Sequence, residues 1–505
     1  MRPESFSSAP SLRRLSPLGL GVLLLLGACS SAPRYEKPVV DTPATFREAA
    51  LFQPARPEAA DVPDAWWTLF GDPVLDDLQR QVVIGNENLK NSVAQYRIAQ
   101  ATLASSRAAL YPTLNLGPGA TRSATGSVTP TGSVPGTSYT LSGAISSWEI
   151  DLWGRLSGTV DASRAKLQAS QGDLAAAQLS AQATLAQTYF SLRTYEAQAA
   201  LLERTIAAYQ RSLELTQNRY RGGVASSADV EQARTQLTSA QAQLIEADSN
   251  RAQMEHALAV LVGKPPAAFS IARTAVLPKA PEAPVQLPAT LLERRPDIAA
   301  AERRVAAANA QIGVAKAAFF PTLTLSASAG FRSSSLSELV NSSTRFWSIG
   351  PSLAFAAFDG GSRRAAEDSA RASLDQAAAT YRQTVLTALQ EVEDNLVIAA
   401  SLREEAAVQA EALASARRVL EVTDNQYRAG LVSYLNIVSA QATVLSTESS
   451  LLNVRNRQLV ALGQLLKNIA GRWDVPVPAA ASDSASNAAP PTRQNPPPAG
   501  AREGS

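Results

Sequence analysis

Residues 362–429 read SRRAAEDSARASLDQAAATYRQTVLTALQEVEDNLVIAASLREEAAVQAEALASARRVLEVTDNQYRA, 68 positions without a glycine or a proline. Alanine, leucine, glutamine, arginine and glutamate dominate, all strong helix formers. At 1.5 Å per residue a single helix of this length reaches roughly 100 Å, several times an ordinary globular helix. A partner stretch, 155–221, is interrupted only by Gly158 and Gly172. No proline occurs between Pro135 and Pro265 or between Pro351 and Pro476. Within the first stretch Leu185, Leu192, Ala199, Ile206 and Leu213 fall seven apart. Thr188, Tyr195, Leu202 and Tyr209 follow the first four by three residues, which makes a coiled-coil seam. Small alanines elsewhere offer a second contact face, as a closed ring of helices requires. Each long helix then meets a glycine turn, Arg221-Gly222-Gly223-Val224 and Arg428-Ala429-Gly430-Leu431, and helical sequence resumes at once. The spacing predicts two antiparallel helical hairpins, each reversing at a far tip.

These hairpins belong to a duplication with a period of about 208 residues. Arg107-Ala108-Ala109-Leu110-Tyr111-Pro112-Thr113-Leu114 recurs as Lys316-Ala317-Ala318-Phe319-Phe320-Pro321-Thr322-Leu323. Tyr220-Arg221-Gly222-Gly223 recurs as Tyr427-Arg428-Ala429-Gly430, and Asp151 and Arg155 as Asp359 and Arg363. Between the helices the pattern changes period. Leu323, Leu325, Ala327, Ala329 and Phe331 alternate with Thr324, Ser326, Ser328 and Gly330, and Trp347, Ile349, Leu353 and Phe355 continue an odd-numbered apolar face. About 9–11 such residues suit a tilted strand crossing a bilayer. The first half repeats this more weakly through Leu114, Leu116, Tyr139, Leu141 and Ile145, and its phase slips before Trp148, which predicts a bulge or an exit from the sheet. Four strands leave two open edges, and open edges cannot sit in lipid, so closure needs several chains. Two copies give eight strands and three give twelve; the pattern alone permits either.

Composition narrows the function. The only cysteine is Cys29 and the only histidine His256, so no intramolecular disulfide and no site with two Cys or His ligands can form in one chain. His256 lies in a helical stretch without a nucleophile or an orienting partner, and neither a catalytic site, a metal nor a cofactor is expected. Residues 1–28 hold three of the 46 basic and one of the 44 acidic side chains; removing them leaves 43 of each. A neutral chain offers no basic face for a phosphate backbone, so nucleic acid is not an expected partner. Arg13 and Arg14 precede an apolar run too short to span a membrane, which ends in Leu26-Gly27-Ala28-Cys29. That ending resembles a bacterial lipoprotein signal, in which the cysteine is acylated and the bond before it cut; Ser30 then favours the outer membrane. The expected organisation is a signal peptide (1–28), a lipid-anchored linker (29–64), a first repeat (65–264), a linker (265–290), a second repeat (291–475) and an Ala/Pro/Ser-rich disordered tail (476–505).

The chain resembles the TolC-like outer-membrane efflux proteins, in the lipidated NodT-type branch, over about residues 65–470. The resemblance rests on Trp66-Trp67-Thr68-Leu69-Phe70-Gly71-Asp72-Pro73, Trp148-Glu149-Ile150-Asp151-Leu152-Trp153-Gly154-Arg155, Leu291-Leu292-Glu293-Arg294-Arg295-Pro296-Asp297-Ile298, Phe319-Phe320-Pro321 and Phe358-Asp359-Gly360-Gly361. It implies a mainly α protein with a membrane β-barrel: a homotrimer whose helical hairpins form an α-barrel through the periplasm beneath a shared twelve-stranded barrel. It further implies a lipid anchor at Cys29 in the outer membrane, and a periplasmic adaptor and an inner-membrane pump as partners. Gly222, Gly223, Val224, Gly430 and Leu431 would form the tips that meet the adaptor. Some relatives close the tip with an Asp and an Arg where this chain has Ser439 and Ala442. The gate is therefore expected to use other groups, with Tyr220, Asp229, Glu231, Arg234 and Tyr427 as candidates. Two other readings share some of these features. The exit duct of a type I protein secretion system has the same tunnel physics. A periplasmic coiled-coil lipoprotein would explain the lipid and the helices but not the strands.

Overall fold

The computed structural model describes residues 33–41, 46–51, 63–124, 136–281 and 295–470. The signal peptide, Cys29, the 476–505 tail and the Leu291–Arg294 part of the central motif lie outside them. Seven α-helices and four strands run in chain order through the described residues. The first half holds α1 (Pro73–Gly85), α2 (Glu87–Ala108), β1 (Leu114–Ser123), β2 (Gly136–Glu149), α3 (Arg155–Arg221) and α4 (Ser227–Leu261). The second holds α5 (Pro296–Ala317), β3 (Thr322–Ser333), β4 (Arg345–Ala354), α6 (Ser362–Arg428) and α7 (Tyr434–Ala470). The duplication is exact in the long helices: α3 and α6 have 67 residues each, and α2 and α5 have 22 each.

The long helices start where a carboxylate replaces the missing intrahelical acceptors. Asp151 accepts from the Leu156 and Ser157 amides at 3.0 and 2.7 Å, and Gly154 takes φ +78° to turn the chain into α3. Asp359 accepts from the Gly361 and Arg363 amides at 3.0 and 3.1 Å, with Gly361 at φ +91°. The two repeats then diverge. Arg363 bonds Asp359 through Nε at 2.7 Å, whereas Arg155 turns to Glu149 at 2.8 Å.

The seven-residue seam is internal: Leu185, Leu192, Ala199, Leu202 and Tyr209 are buried. The largest core cluster joins Trp66, Phe70, Leu75 and Val82 to Tyr189 and Phe190 of α3, Leu258 of α4 and Leu459, Leu462 and Leu466 of α7. The glycines inside α3 mark its crossing with α5. A Cβ on Gly172 would stand 2.8 Å from the Pro296 carbonyl oxygen, and one on Gly158 would stand 3.1 Å from Val314. Beside the core, Glu196 accepts from Arg193 at 2.7 Å and from Arg251 at 3.1 Å. The same two arginines donate to the Ala272 and Ile271 carbonyls at 2.9 and 2.7 Å, which fastens the chain between the repeats to α3 and α4. These buried ions are compensated by multiple charge-assisted bonds, as buried charges require.

The described part of the 29–64 linker is docked. Phe46 is buried against Ile298 and Val305 of α5 and Tyr381 and Val385 of α6. Glu393 accepts from the Arg47 and Glu48 amides at 2.8 and 3.0 Å, and Tyr35 donates to Glu302.

The sheet is an antiparallel meander in the order β1-β2-β3-β4, with β1 and β4 unpaired on their outer sides among the described residues. Its register shifts between Ile145 and Trp148, so the phase slip in the sequence is a bulge. Ala327 faces Ile145 and Leu325 faces Trp148, so the extra residue returns Trp148 to the apolar face. Among the described residues no helix is long and apolar enough to cross a membrane.

Candidate functional site at the sheet and the helix tips

Residues directly opposite in an antiparallel pair share a face. Leu116, Leu141, Phe331, Leu325, Leu353, Ile349 and Trp347 therefore lie on one side of the sheet. The other side carries Asn115, Thr140, Ser142, Thr324, Ser326, Ser328, Ser348 and Ser352. On that side Ser328 and Ser348 bond hydroxyl to hydroxyl at 2.8 Å, and Ser326 donates to the Ser146 carbonyl at 2.7 Å. Among the described residues nothing covers the apolar side: Trp347 is 77% exposed and Leu116 78%. The sheet is thus apolar on one face, polar on the other and, among the described residues, unpaired at both edges.

At the far ends of the helices the two turns share one hydrogen-bond plan. Val224 donates to the Arg219 carbonyl at 2.8 Å and Gly223 to Tyr220 at 2.9 Å, with Gly223 at φ +73°. Leu431 donates to Gln426 at 2.9 Å and Gly430 to Tyr427 at 2.9 Å, with Gly430 at φ +77°. Both are Schellman motifs, which need a residue free to adopt the left-handed conformation. The residue after the glycine normally packs back on its own helix. Here Val224 and Leu431 are 69% and 76% exposed, so each tip presents an uncovered aliphatic side chain.

The gate candidates separate into two groups. Asp229 forms a capping box with Ser226, accepting from its backbone amide at 2.9 Å while the Ser226 hydroxyl accepts from the Asp229 amide at 3.1 Å. Glu231 and Arg234 pair with each other at 3.3 Å on the exposed face of α4. Neither meets Tyr427 within one chain. Tyr220 is half exposed, but Tyr427 is buried with Tyr434, Ile437 and Ala233. The sequence did not single out Arg219 or Tyr434, and they complete this cluster. The Arg219 guanidinium lies 4.6 Å over the Tyr427 ring and donates to the Tyr427 carbonyl at 3.1 Å. The Tyr434 ring lies 5.6 Å from that of Tyr427, and its hydroxyl meets Ser212 at 3.1 Å. Burial pushes the Tyr434 phenol above its ordinary pKa, so it stays neutral. This clasp ties the tip of the α3–α4 hairpin to that of α6–α7. The Tyr427 hydroxyl is buried without a hydrogen-bond partner among the described residues.

Above the clasp, α3, α4 and α7 diverge around a recess of about 490 Å³ lined by Tyr209, Gln236, Ser239, Gln243, Ser446 and Asn453. Ala442 stands in its wall, and Ser439 accepts from Thr443 through its carbonyl at 2.8 Å. Among the described residues no three His, Cys, Asp or Glu side chains gather where they could hold a metal ion.

A one-sided sheet above long paired helices is the plan of an outer-membrane channel, and comparison with known proteins gives the same class. The outer membrane efflux protein family matches residues 78–264 and 287–471. The solvent efflux pump outer membrane protein SrpC of Pseudomonas putida is 32% identical over 92% of this chain and 99% of its own. The cation efflux system protein CusC of Escherichia coli is 30% identical over 90% of this chain and 97% of its own. The solved structure of the outer-membrane channel OprN, 30% identical, superposes with a TM-score of 0.81 over 88% of this chain and 100% of its own. The chain belongs to the outer membrane efflux protein family. It is an outer-membrane channel component of an efflux pump.

Proposed function

We propose that the protein is the passive duct of a tripartite pump, built as a homotrimer that carries drugs or other small molecules across the periplasm and the outer membrane. Three copies would supply twelve strands, closing the edges of β1 and β4 in lipid, where an unpaired backbone amide costs several kcal/mol. Lipid on Cys29 would hold the assembly to the membrane. The tips would meet a periplasmic adaptor through Val224 and Leu431, and an inner-membrane pump would supply the energy. No chemistry is asked of the chain, and no cofactor or nucleic acid. The relatives' names cite solvents in one case and cations in another, so the shared fold sets the duct rather than the cargo.

The observation that carries this reading is the pairing of an uncovered one-sided sheet with two Schellman tips bearing exposed aliphatic residues. The gate is the Arg219–Tyr427–Tyr434 clasp, while Tyr220, the Asp229 capping carboxylate and the exposed Glu231–Arg234 pair would meet neighbouring copies at the same level. Arg219→Gln removes the cation–π contact and the bond to the Tyr427 carbonyl. It is expected to raise resting single-channel conductance in planar bilayers several-fold while the trimer mass stays unchanged. Unchanged conductance in Arg219→Gln and in a combined Asp229, Glu231 and Arg234 variant would remove the tip as the gate.

A further inference from the structure

Charge is almost absent from the sheet, and where it occurs it is sorted. In the four strands only Arg122, Glu149, Arg332 and Arg345 are charged. Glu149 stands at the end of β2 that leads into α3 and bonds Arg155 there at 2.8 Å. The three arginines all stand at the opposite end, beside the hairpin connections. Arg122 is next to last in β1, Arg332 next to last in β3, and Arg345 is first in β4. Strand periodicity puts them on different faces. Arg332 is on the polar side, where its guanidinium lies 4.9 Å over the Phe346 ring. Arg122 shares a face with Leu114 and Leu116, and Arg345 with Trp347, Ile349 and Leu353, so both lie on the apolar side. Arg122 is eight residues from Leu114, and Arg345 is eight from Leu353. Eight residues are about 27 Å of strand, or about 20 Å of membrane depth at a tilt of roughly 40°, so each arginine marks the edge of an apolar band.

A charge at such an edge is tolerated because a long side chain reaches the headgroups. Tolerance alone explains neither the sign nor the residue chosen. No lysine occurs in the strands, and every charge at the hairpin end of the sheet is an arginine. The sequence has no acidic residue between Arg122 and Glu149 and only Glu338 between Arg332 and Arg345. Arg122 and Arg345 are exposed, and among the described residues neither forms an ion pair. Arg345 donates through Nε to the Ser342 carbonyl at 3.2 Å, which leaves its two terminal nitrogens without a partner among the described residues. On the same face Phe331 stands directly opposite Arg345, and Trp347 follows two residues along the strand, 77% exposed. A guanidinium fork can bond two phosphate oxygens at once, which an ammonium cannot match. An aromatic ring beside it suits the boundary between headgroup and acyl chain.

We propose that Arg122 and Arg345 bind the phosphate groups of phosphorylated lipids in the outer leaflet, with Phe331 and Trp347 against the acyl chains. The inference rests on the membrane barrel proposed above, whose apolar face meets lipid and whose hairpin end lies away from the periplasmic helices. The arginines would fix the depth of the sheet by charge while the band below them fixes it by apolar contact.

The test is a titration of the purified lipidated protein, in non-ionic detergent, with bisphosphorylated lipid A and with the same lipid stripped of its phosphates, read by native mass spectrometry. The parent is expected to prefer the phosphorylated form. Arg122→Gln with Arg345→Gln should weaken lipid A binding about tenfold, the loss of charge-assisted bonds to phosphate, with the native mass unchanged. Arg332→Gln, on the polar face, should bind like the parent. Equal binding of the two lipids by the parent, or parent-like binding of lipid A by the double variant, would overturn the site. Equal weakening by Arg332→Gln would also overturn it, since net charge and not this face would then hold the lipid. A fluorophore on Ile349→Cys in bilayers with brominated acyl chains separates this from the reading beneath it. Quenching is expected in the parent and in the double variant. Absence of quenching in the parent would remove the lipid-facing wall and the site with it, whereas quenching with phosphate-blind binding removes the site alone.

Discussion

Asp151 shows how one side chain sets a long helix. Burial works to raise its carboxyl pKa, but the backbone amides of Ser157 and Leu156 outweigh that and hold it below the usual carboxylate range. A depressed folded pKa contributes stability that is full above the unfolded value, about 3.9, and is lost as pH falls through the lower folded one. Asp151→Ala is expected to cost about 1 kcal/mol at neutral pH, as the loss of a helix cap does. Its melting temperature should also fall less steeply than the parent's below about pH 4. Thermal melts of the detergent-solubilised protein across that range check both. Asp151 was legible as a duplicated landmark, paired in the sequence with Asp359. Its capping role was not, because it stands outside the helix it caps. Arg219 was invisible for a different reason: it acts on Tyr427, a residue of the other hairpin, and no local pattern reports such a contact.

Element boundaries were the most legible feature, because glycine and proline are nearly absent from the helices and return at their ends. The tip glycines separate cleanly by backbone conformation. Gly223 sits at φ +73°, where an added Cβ is strained, while Gly222 sits at φ −81° with its nearest foreign atoms 3.6 Å away. Gly223→Ala is expected to destabilise the tip by about 1 kcal/mol and Gly222→Ala to leave it unchanged or firmer. Hydrogen exchange of the Val224 and Ala225 amides, both bonded to the Arg219 carbonyl, reads that difference directly. Gly172 is the opposite case, a glycine whose purpose the sequence concealed. It looks like a weak point in a long helix, yet it admits the Pro296 carbonyl at the α3–α5 crossing. Gly172→Val should cost about 1–3 kcal/mol through overpacking, measured as a lower melting temperature. The first-repeat strands were harder to read than the second because Gly117, Pro118 and Gly119 dilute the alternation of β1.

At the scale of the whole molecule, a single chain is unfinished. Among the described residues its sheet has two unpaired edges and its apolar sheet face has no cover. The sequence foretold the open edges from four alternating strands. It did not foretell the docked arm around Phe46, because an irregular Pro-rich segment has no periodicity to announce where it binds. Glu393→Ala removes the acceptor for the Arg47 and Glu48 amides. It is expected to make the arm more sensitive to limited proteolysis while the helical circular dichroism stays unchanged. The most direct test of a multi-copy, water-filled duct is single-channel recording of the purified lipidated protein in planar bilayers. Discrete, uniform conductance steps, small at rest and larger in Arg219→Gln, are the expected result. A correctly folded, membrane-inserted protein that gives no steps in either form would contradict it.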